Sequence, residues 1–370
     1  SRLRNQKSSY ERLYGTPGRN PLRKILPPPA KSVHRDLKTA LDRMDEVSRS
    51  TLMLMRQLPR PPVPACPAAE TPFPIAPVWQ NAVTLVCCGD EAYAAPTGVL
   101  FQSVIDQADP ERFYDIIYLH NGISRYSKER LCALAGGHPN ISVRTCDIRA
   151  ALTEPKLYTE NREGFSHMAY ARLIIPEILG GEYRRSLYLD GDMLAYRDIA
   201  PLYDTDLEGK PLGATLDAFF LAQANRRNAD DRQRLAYWRQ VSGISKPEDY
   251  SMSAVLLMDL DRFRREKLPQ KLMQAALSRP WQYHDQDVLN YVLHGQIQAL
   301  DMAWNSCHIG ELAPCLPEKM RIDRKAFIFH FAGGGAKPWE RTCPPHGEDF
   351  WKAAAKTGFY GELLRRLHRD

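Results

Sequence analysis

The sequence lacks any apolar run near the ~18 residues that a membrane-spanning helix needs. Its first residues, SRLRNQKSSYER, contain no apolar core of the kind that a secretory signal has. The eight cysteines include no C-x-x-C pair, and their spacings fit neither a zinc site nor a disulfide scaffold. These absences predict reduced cysteines in a cytoplasmic protein, which would reach the inner face of a membrane by peripheral contact alone.

The N-terminal part differs in composition from the rest. Residues 1–80 hold 14 Lys and Arg against 6 Asp and Glu, a net +8 in a chain whose total is +6. We predict a basic flexible tail over 1–32, an amphipathic helix over 33–58 and a proline-rich linker over 59–80. The helix could pack on the body or pair with a second copy as a homo-oligomer contact. The basic tail lacks a nucleic-acid-binding motif, so we expect no nucleic-acid partner.

From residue 81 onward, short apolar runs alternate with helical patterns. VTLVCCG, YDIIYLHN and NISVRTCDI predict buried strands. SRYSKERLCALAGG predicts a helix between a serine cap and a glycine stop, and HMAYARLIIPEILGG predicts another helix that ends at glycines. This alternation indicates an α/β fold with a mainly parallel sheet and helices on both faces. We assign residues 81–340 to this domain. Residues 341–370 should be a helical segment, which either packs on the body or meets an anionic membrane surface.

An apolar run ends abruptly at two carboxylates in LYLDGDMLAYRDI, the stretch from Leu187 to Ile199. Asp190 and Asp192 therefore lie at the carboxyl end of a predicted strand, where ligands bind in open α/β sheets. Two nearby carboxylates in a dry site repel each other unless a cation or proton joins them. Oxygen ligands suit Mn²⁺ and Mg²⁺, which commonly share their coordination with substrate phosphates.

Two later stretches strengthen the prediction of a metal–diphosphate site. FIFHFAGGGAKPW places His330 at the end of another predicted strand, followed by a glycine turn and Lys337. Imidazole can complete an Asp/Asp/metal set, and the glycine amides and the lysine could contact phosphate. YHDQDVLNYVLHG places Asp285 and Asp287 at a predicted helix start, where capping alone explains one of them.

These residues resemble glycosyltransferase family 8, the retaining, metal-dependent sugar transferases, and especially bacterial lipopolysaccharide and lipooligosaccharide galactosyl- and glucosyltransferases. The resemblance runs from about Val83 to Trp339. It rests on GDEAYAAPTG, YLHNGIS, AYARLIIPEIL, LYLDGDMLAYRDIAPLYDTDLEGKPLGA, SAVLLMDLDRF, HDQDVLN and HFAGGGAKPW. It implies a single α/β domain of the nucleotide-sugar transferase, GT-A-like type.

The resemblance also implies a role for each matching residue. The implied ligands of Mn²⁺ or Mg²⁺ are Asp190, Asp192 and His330. The implied contacts to a UDP-hexose donor are Cys88, Asp90, Tyr93, Arg172, Asp190, Gly333 and Lys337. Asp285 would bind donor sugar hydroxyls and Gln286 would lie under the anomeric carbon, which makes these two the catalytic pair. Asp217 would lie on the acceptor side.

The implied activity is transfer of galactose or glucose from a UDP-sugar to a saccharide or glycolipid acceptor, in bacterial surface glycan or lipopolysaccharide synthesis. Because an amide is a poor covalent nucleophile, we favour attack by the acceptor on the face that the UDP leaves. The sequence departs from the family pattern at three places. Met252 and Ala92 stand where asparagine is common, and the turn after His330 is longer. These departures leave open a weak or inactive transferase that binds UDP or assembles with partners. A protein-modifying transferase and a phosphatase that uses Asp190 as nucleophile are further alternatives.

Overall fold

The computed structural model describes residues 71–152, 167–226, 228–317, 326–333, 337–341 and 344–367, all within the compact unit Pro62–Leu367. The predicted tail over 1–32, the predicted helix over 33–58 and the first part of the predicted linker lie outside the described residues.

In the described part of the chain, ten strands form two sheets. They are β1 Val83–Gly89, β2 Tyr114–His120, β3 Ile141–Asp147, β4 Arg185–Leu189, β5 Met193–Ala195, β6 Leu212–Leu216, β7 Ser251–Asp259, β8 Ile297–Ala299, β9 Ser306–Cys307 and β10 Ile328–His330. The large sheet has the order β3-β2-β1-β4-β7-β6-β8, and within it β7 alone runs antiparallel to its neighbours. The expected mainly parallel sheet is therefore confirmed.

A small three-stranded sheet has the order β5-β10-β9. Its strand β5 begins directly after the D-G-D stretch. Its register pairs His330 of β10 with Met193 of β5. The backbone N–H of Phe331 also donates to the carbonyl of Asp192 at 2.9 Å. Backbone pairing thus brings His330 beside Asp192, although the two residues are far apart in the chain.

Eleven α-helices lie within the described residues. They are α1 Glu91–Gln107, α2 Arg125–Ala133, α3 Ile175–Ile178, α4 Ala200–Tyr203, α5 Ala218–Arg226, α6 Ala229–Tyr237, α7 Leu260–Arg265, α8 Leu268–Ser278, α9 His284–Val292, α10 Gly347–Ala354 and α11 Tyr360–Leu367. The predicted start of α2 is confirmed, since Ser124 caps it by accepting from the N–H of Ser127. No helix in this part of the chain is both long and apolar enough to cross a membrane.

The two faces of the large sheet carry separate apolar cores. Along β1, Leu85 and Cys87 pack into one core, while Val86 and Cys88 pack into the other. This alternation follows from the two-residue period of a strand, and it leaves β1 buried on both faces. The expected helices on both faces are confirmed, because α1 packs on one side and α8 and α9 on the other.

Three segments differ in detail from the sequence prediction. Residues 71–80 of the predicted linker pack on the body: Ile75 is fully buried and forms a bridge to Leu179. HMAYARLIIPEIL, read as one helix, is a 3-10 helix over His167–Ile174 followed by α3. The C-terminal segment is two short helices, and Phe359, between them, packs against Gly98 of α1.

Candidate functional site

A cavity of about 790 Å³ opens at the carboxyl ends of β1, β4 and β6 and the amino end of the antiparallel β7. This is the edge of an α/β sheet where ligands bind. The cavity is lined by all twelve residues that the sequence singled out, namely Cys88, Asp90, Tyr93, Arg172, Asp190, Asp192, Asp217, Asp285, Gln286, His330, Gly333 and Lys337. The structure thus brings these residues together around one cavity, and the role of each stays a prediction.

Asp190 and Asp192 are held in a tight turn after β4. The backbone N–H of Asp190 donates to the carbonyl of Ala254 at 3.0 Å, and the Tyr188 hydroxyl donates to Asp190 Oδ1 at 2.6 Å. Gly191 separates the two aspartates, and a Cβ there would overlap the Thr97 hydroxyl of α1. The turn needs glycine because helix and turn approach so closely.

Asp192 lies between two nitrogen groups. His330 Nε2 is 3.3 Å from its Oδ1, and the Lys337 ammonium contacts its Oδ2 and donates to the carbonyl of Phe331 at 2.7 Å. Burial opposes ionisation of Asp192, but Lys337 and His330 hold the pKa of this carboxyl well below its usual range. Lys337 thus supplies positive charge where the carboxylate would otherwise be unpaired.

The residues present fit a divalent cation. One potential ligand atom each of Asp190, Asp192 and His330 lies within 4.8 Å of the others. Two carboxylates and an imidazole are a donor set that Mn²⁺ accepts, and carboxylate oxygens suit Mg²⁺ as well.

Arg172 links the metal-ligand candidates to the predicted catalytic carboxylate. Its guanidinium lies 3.1 Å from Asp190 Oδ1 and 3.2 Å from Asp285 Oδ2, and it donates to the carbonyl of Ser253 at 2.7 Å. Burial raises the pKa of Asp285 to about 6, although Arg172 favours the ionised form. The buried arginine is therefore fixed in place by acceptors on several sides.

Gln286 is held at both ends of its amide. Its Oε1 accepts from the backbone N–H of Ser253 at 3.2 Å, and its Nε2 donates to Asp217 Oδ2 at 2.8 Å. The other oxygen of Asp217 accepts from the N–H of Phe220 at 2.9 Å. Burial raises the pKa of Asp217. Asp217, predicted on the acceptor side, thus also orients Gln286 and the start of α5.

Asp90 and Tyr93, two of the predicted donor contacts, lie at the start of α1. Asp90 caps α1, since its Oδ1 accepts from the N–H groups of Ala92 and Tyr93 at 3.0 and 3.3 Å. One oxygen of the Asp90 carboxylate is therefore already hydrogen-bonded to the helix backbone. Gly333 has φ of 82°, a left-handed conformation that glycine adopts without strain.

Sequence reasoning missed Asn305 and Ser253. Asn305 contacts His330, and Ser253 contacts both Arg172 and Gln286. Neither residue carries a charge, and the sequence offers no spacing that links them to the D-G-D stretch. The one available signal for Ser253 was its place beside Met252, which departs from the family pattern.

Comparisons with known proteins agree with this geometry. The model of glycosyl transferase family 8 matches residues 84–343. General stress protein A of Bacillus subtilis is 27% identical over 286 residues, which cover 72% of this chain and 91% of that protein. Lipopolysaccharide 1,2-glucosyltransferase of Escherichia coli is 27% identical over 199 residues, 51% of this chain and 54% of that one.

Two solved structures extend the likeness to the fold. The apo structure of the WbbM bifunctional glycosyltransferase superposes with a TM-score of 0.70 at 27% identity, covering 80% of this chain and 53% of that one. The galactosyltransferase LgtC in complex with donor and acceptor sugar analogues superposes with a TM-score of 0.58 at 26% identity, covering 74% and 96%. The predicted GT-A-like architecture is thus confirmed.

Proposed function

Because this chain belongs to glycosyltransferase family 8, we propose that it moves galactose or glucose from a UDP-sugar to a saccharide or glycolipid acceptor, with retention of anomeric configuration. The observation that carries the proposal is the cluster of Asp190, Asp192 and His330, with Arg172 and Lys337 beside it, in a cavity at the ligand-binding edge of the sheet.

Asp190, Asp192 and His330 would hold a divalent cation, Mn²⁺ or Mg²⁺, against the diphosphate of the donor. When bound, this cation neutralises the charge that grows on the leaving UDP. Lys337 adds a second positive group on the same side, since its ammonium already reaches Asp192. Phosphate oxygens can take the place of the carboxylate as its partner.

Asp285 and Arg172 would bind and orient the donor sugar. The guanidinium of Arg172 lies 3.2 Å from Asp285 Oδ2, and this ion pair would keep the carboxylate near the sugar hydroxyls. Tyr93 would stack on the uracil base, and its ring meets that of Trp339 edge-on at a centroid distance of 6.4 Å.

The contacts of Gln286 favour attack on the same face from which UDP leaves. Its carbonyl oxygen already accepts from the Ser253 N–H, and an amide is a weak nucleophile. The acceptor hydroxyl oxygen would form the new bond to the anomeric carbon as the bond to the β-phosphate oxygen breaks. That phosphate oxygen then takes the hydroxyl proton. Charge on the sugar develops as in other oxocarbenium-like glycosyl transfers.

A saccharide or glycolipid acceptor is supported by the names of two similar proteins, a lipopolysaccharide glucosyltransferase and a galactosyltransferase crystallised with an acceptor sugar analogue. We propose a role in assembling surface glycan or lipopolysaccharide on the cytoplasmic side of a membrane.

The test measures hydrolysis and transfer with a panel of UDP-sugars, with Mn²⁺ and with chelator, in the wild type and in Asp192→Ala. Asp204→Asn is the matched control, because it removes an exposed carboxylate that pairs with Arg112 outside the cavity. We expect Mn²⁺-dependent turnover of one UDP-sugar that is lost in Asp192→Ala and kept in Asp204→Asn. UDP binding without turnover would favour an inactive transferase body, and no UDP binding would refute the proposed site.

A further inference from the structure

Asn305 contacts His330 on the side of the imidazole ring away from Asp192. His330 Nδ1 lies 3.0 Å from Asn305 Oδ1, while Nε2 lies 3.3 Å from Asp192 Oδ1. His330 and Asn305 are 3% and 2% exposed, so the contact between them is shielded from water. Nδ1 faces an amide oxygen and Nε2 faces a carboxylate oxygen, and both of these oxygens are acceptors.

The orientation of the Asn305 amide follows from its other neighbours. Its nitrogen lies 2.8 Å from the hydroxyl of Thr215 and 3.3 Å from the sulfur of Met252. A hydroxyl can donate or accept, so Thr215 is compatible with either orientation of the amide. A thioether sulfur can only accept. Met252 therefore selects the orientation that turns the amide nitrogen toward sulfur and the carbonyl oxygen toward His330.

A carbonyl oxygen accepts hydrogen bonds and cannot donate them, so the His330 nitrogen that faces it must carry a proton. We propose that Asn305, oriented by Met252, is a positioning residue that keeps a proton on His330 Nδ1 and presents Nε2 to the cation site. The part that concerns the cation rests on the proposed function, whereas the position of the proton does not. Ring orientation by a partner at the second nitrogen is how proteins set the ligand atom of a histidine.

The inference gives Met252 a function. An amide side chain at this position could donate as well as accept, and it would be compatible with both orientations of Asn305, as Thr215 is. A sulfur at this position is compatible with only one of the two orientations of the Asn305 amide.

The experiment is ¹⁵N–¹H NMR of the metal-free protein with labelled histidine, in which His330→Gln assigns the His330 signals. We expect a solvent-protected N–H at Nδ1 in the wild type. Asn305→Asp keeps an acceptor oxygen and should retain this signal, whereas Asn305→Leu should lose its protection. Met252→Leu keeps the apolar volume without an acceptor, so the protected fraction should fall.

Calorimetry with Mn²⁺ supplies the second readout. Asn305→Leu should bind Mn²⁺ about 10–100-fold more weakly than the wild type, the usual effect of losing a partner of a ligating histidine. Protection of Nδ1–H in Asn305→Leu equal to that in the wild type would overturn the inference. If the wild type shows the protected signal but binds no Mn²⁺, the proposed metal site fails and the assignment of the proton to Nδ1 stands. Should Asn305→Leu not fold, Met252→Leu and Asn305→Asp decide the question.

Discussion

Asp285→Asn should make the protein more stable at neutral pH while abolishing transfer. Burial raises the pKa of Asp285 to about 6, against ~3.9 for an exposed aspartate, and a difference of about 2 units corresponds to about 3 kcal/mol. Because the folded pKa is the higher one, the folded state holds its proton more tightly than the unfolded chain. The stability that this group contributes is fully present below about pH 4 and is lost as the pH rises through about 6.

The assay is urea unfolding between pH 4 and pH 8 in the presence of chelator. Asp285→Asn should match the wild type near pH 4, where both side chains are uncharged in the folded state. It should exceed the wild type by up to about 3 kcal/mol at pH 8. Asp249→Asn, which removes an exposed carboxylate, corrects for the change in net charge. Parallel pH profiles of the wild type and Asp285→Asn would refute the reasoning.

Three further changes test other parts of the structure. Asp115→Ala should lower the free energy of unfolding in urea by about 3–5 kcal/mol, because it leaves Arg144 without its buried partner; a loss below 1 kcal/mol would contradict this. Ile75→Ala should cost about 2–5 kcal/mol in the same assay, and no cost would mean that residues 71–80 do not pack on the body. Lys337→Met should raise the Mn²⁺ affinity of the nucleotide-free protein in calorimetry, because the ammonium no longer competes for Asp192, and should weaken UDP binding; unchanged affinities would exclude that competition.

The parts of the site that lie at strand ends were predictable from the sequence. The apolar run that stops at Asp190 predicts both a buried strand and a carboxylate at its end. Strand direction in an α/β fold then decides at which edge of the sheet that carboxylate lies, and this is the edge where ligands bind. His330 likewise ends a short apolar strand, β10, although this strand belongs to the small sheet. These side chains meet because backbone pairing brings the strand ends together, and a short apolar run is enough to reveal each strand.

The uncharged supports of the site were not predictable in this way. Asn305 acts through a 3.0 Å contact that depends on where a 3-10 turn after β8 places it, and no periodic pattern specifies that place. Residues 71–80 look like a linker because three of the ten are prolines. Ile75 nevertheless fits into the body beside Leu179, and backbone hydrogen bonds join this stretch to Thr145 and Ile178. A single buried side chain leaves no pattern in the sequence.

The two cationic groups of the cavity differ in how firmly they are held, and this difference suits a site that must exchange partners. Arg172 donates to the carbonyls of Ala169 and Ser253 and contacts Asp190 and Asp285, so moving it would break several buried interactions at once. Lys337 is held by Asp192 and one carbonyl. Under the proposed function, a cation at Asp192 would displace the lysine more easily than the arginine. The released ammonium would then be available to the donor diphosphate, so we expect cation binding and phosphate binding to favour each other.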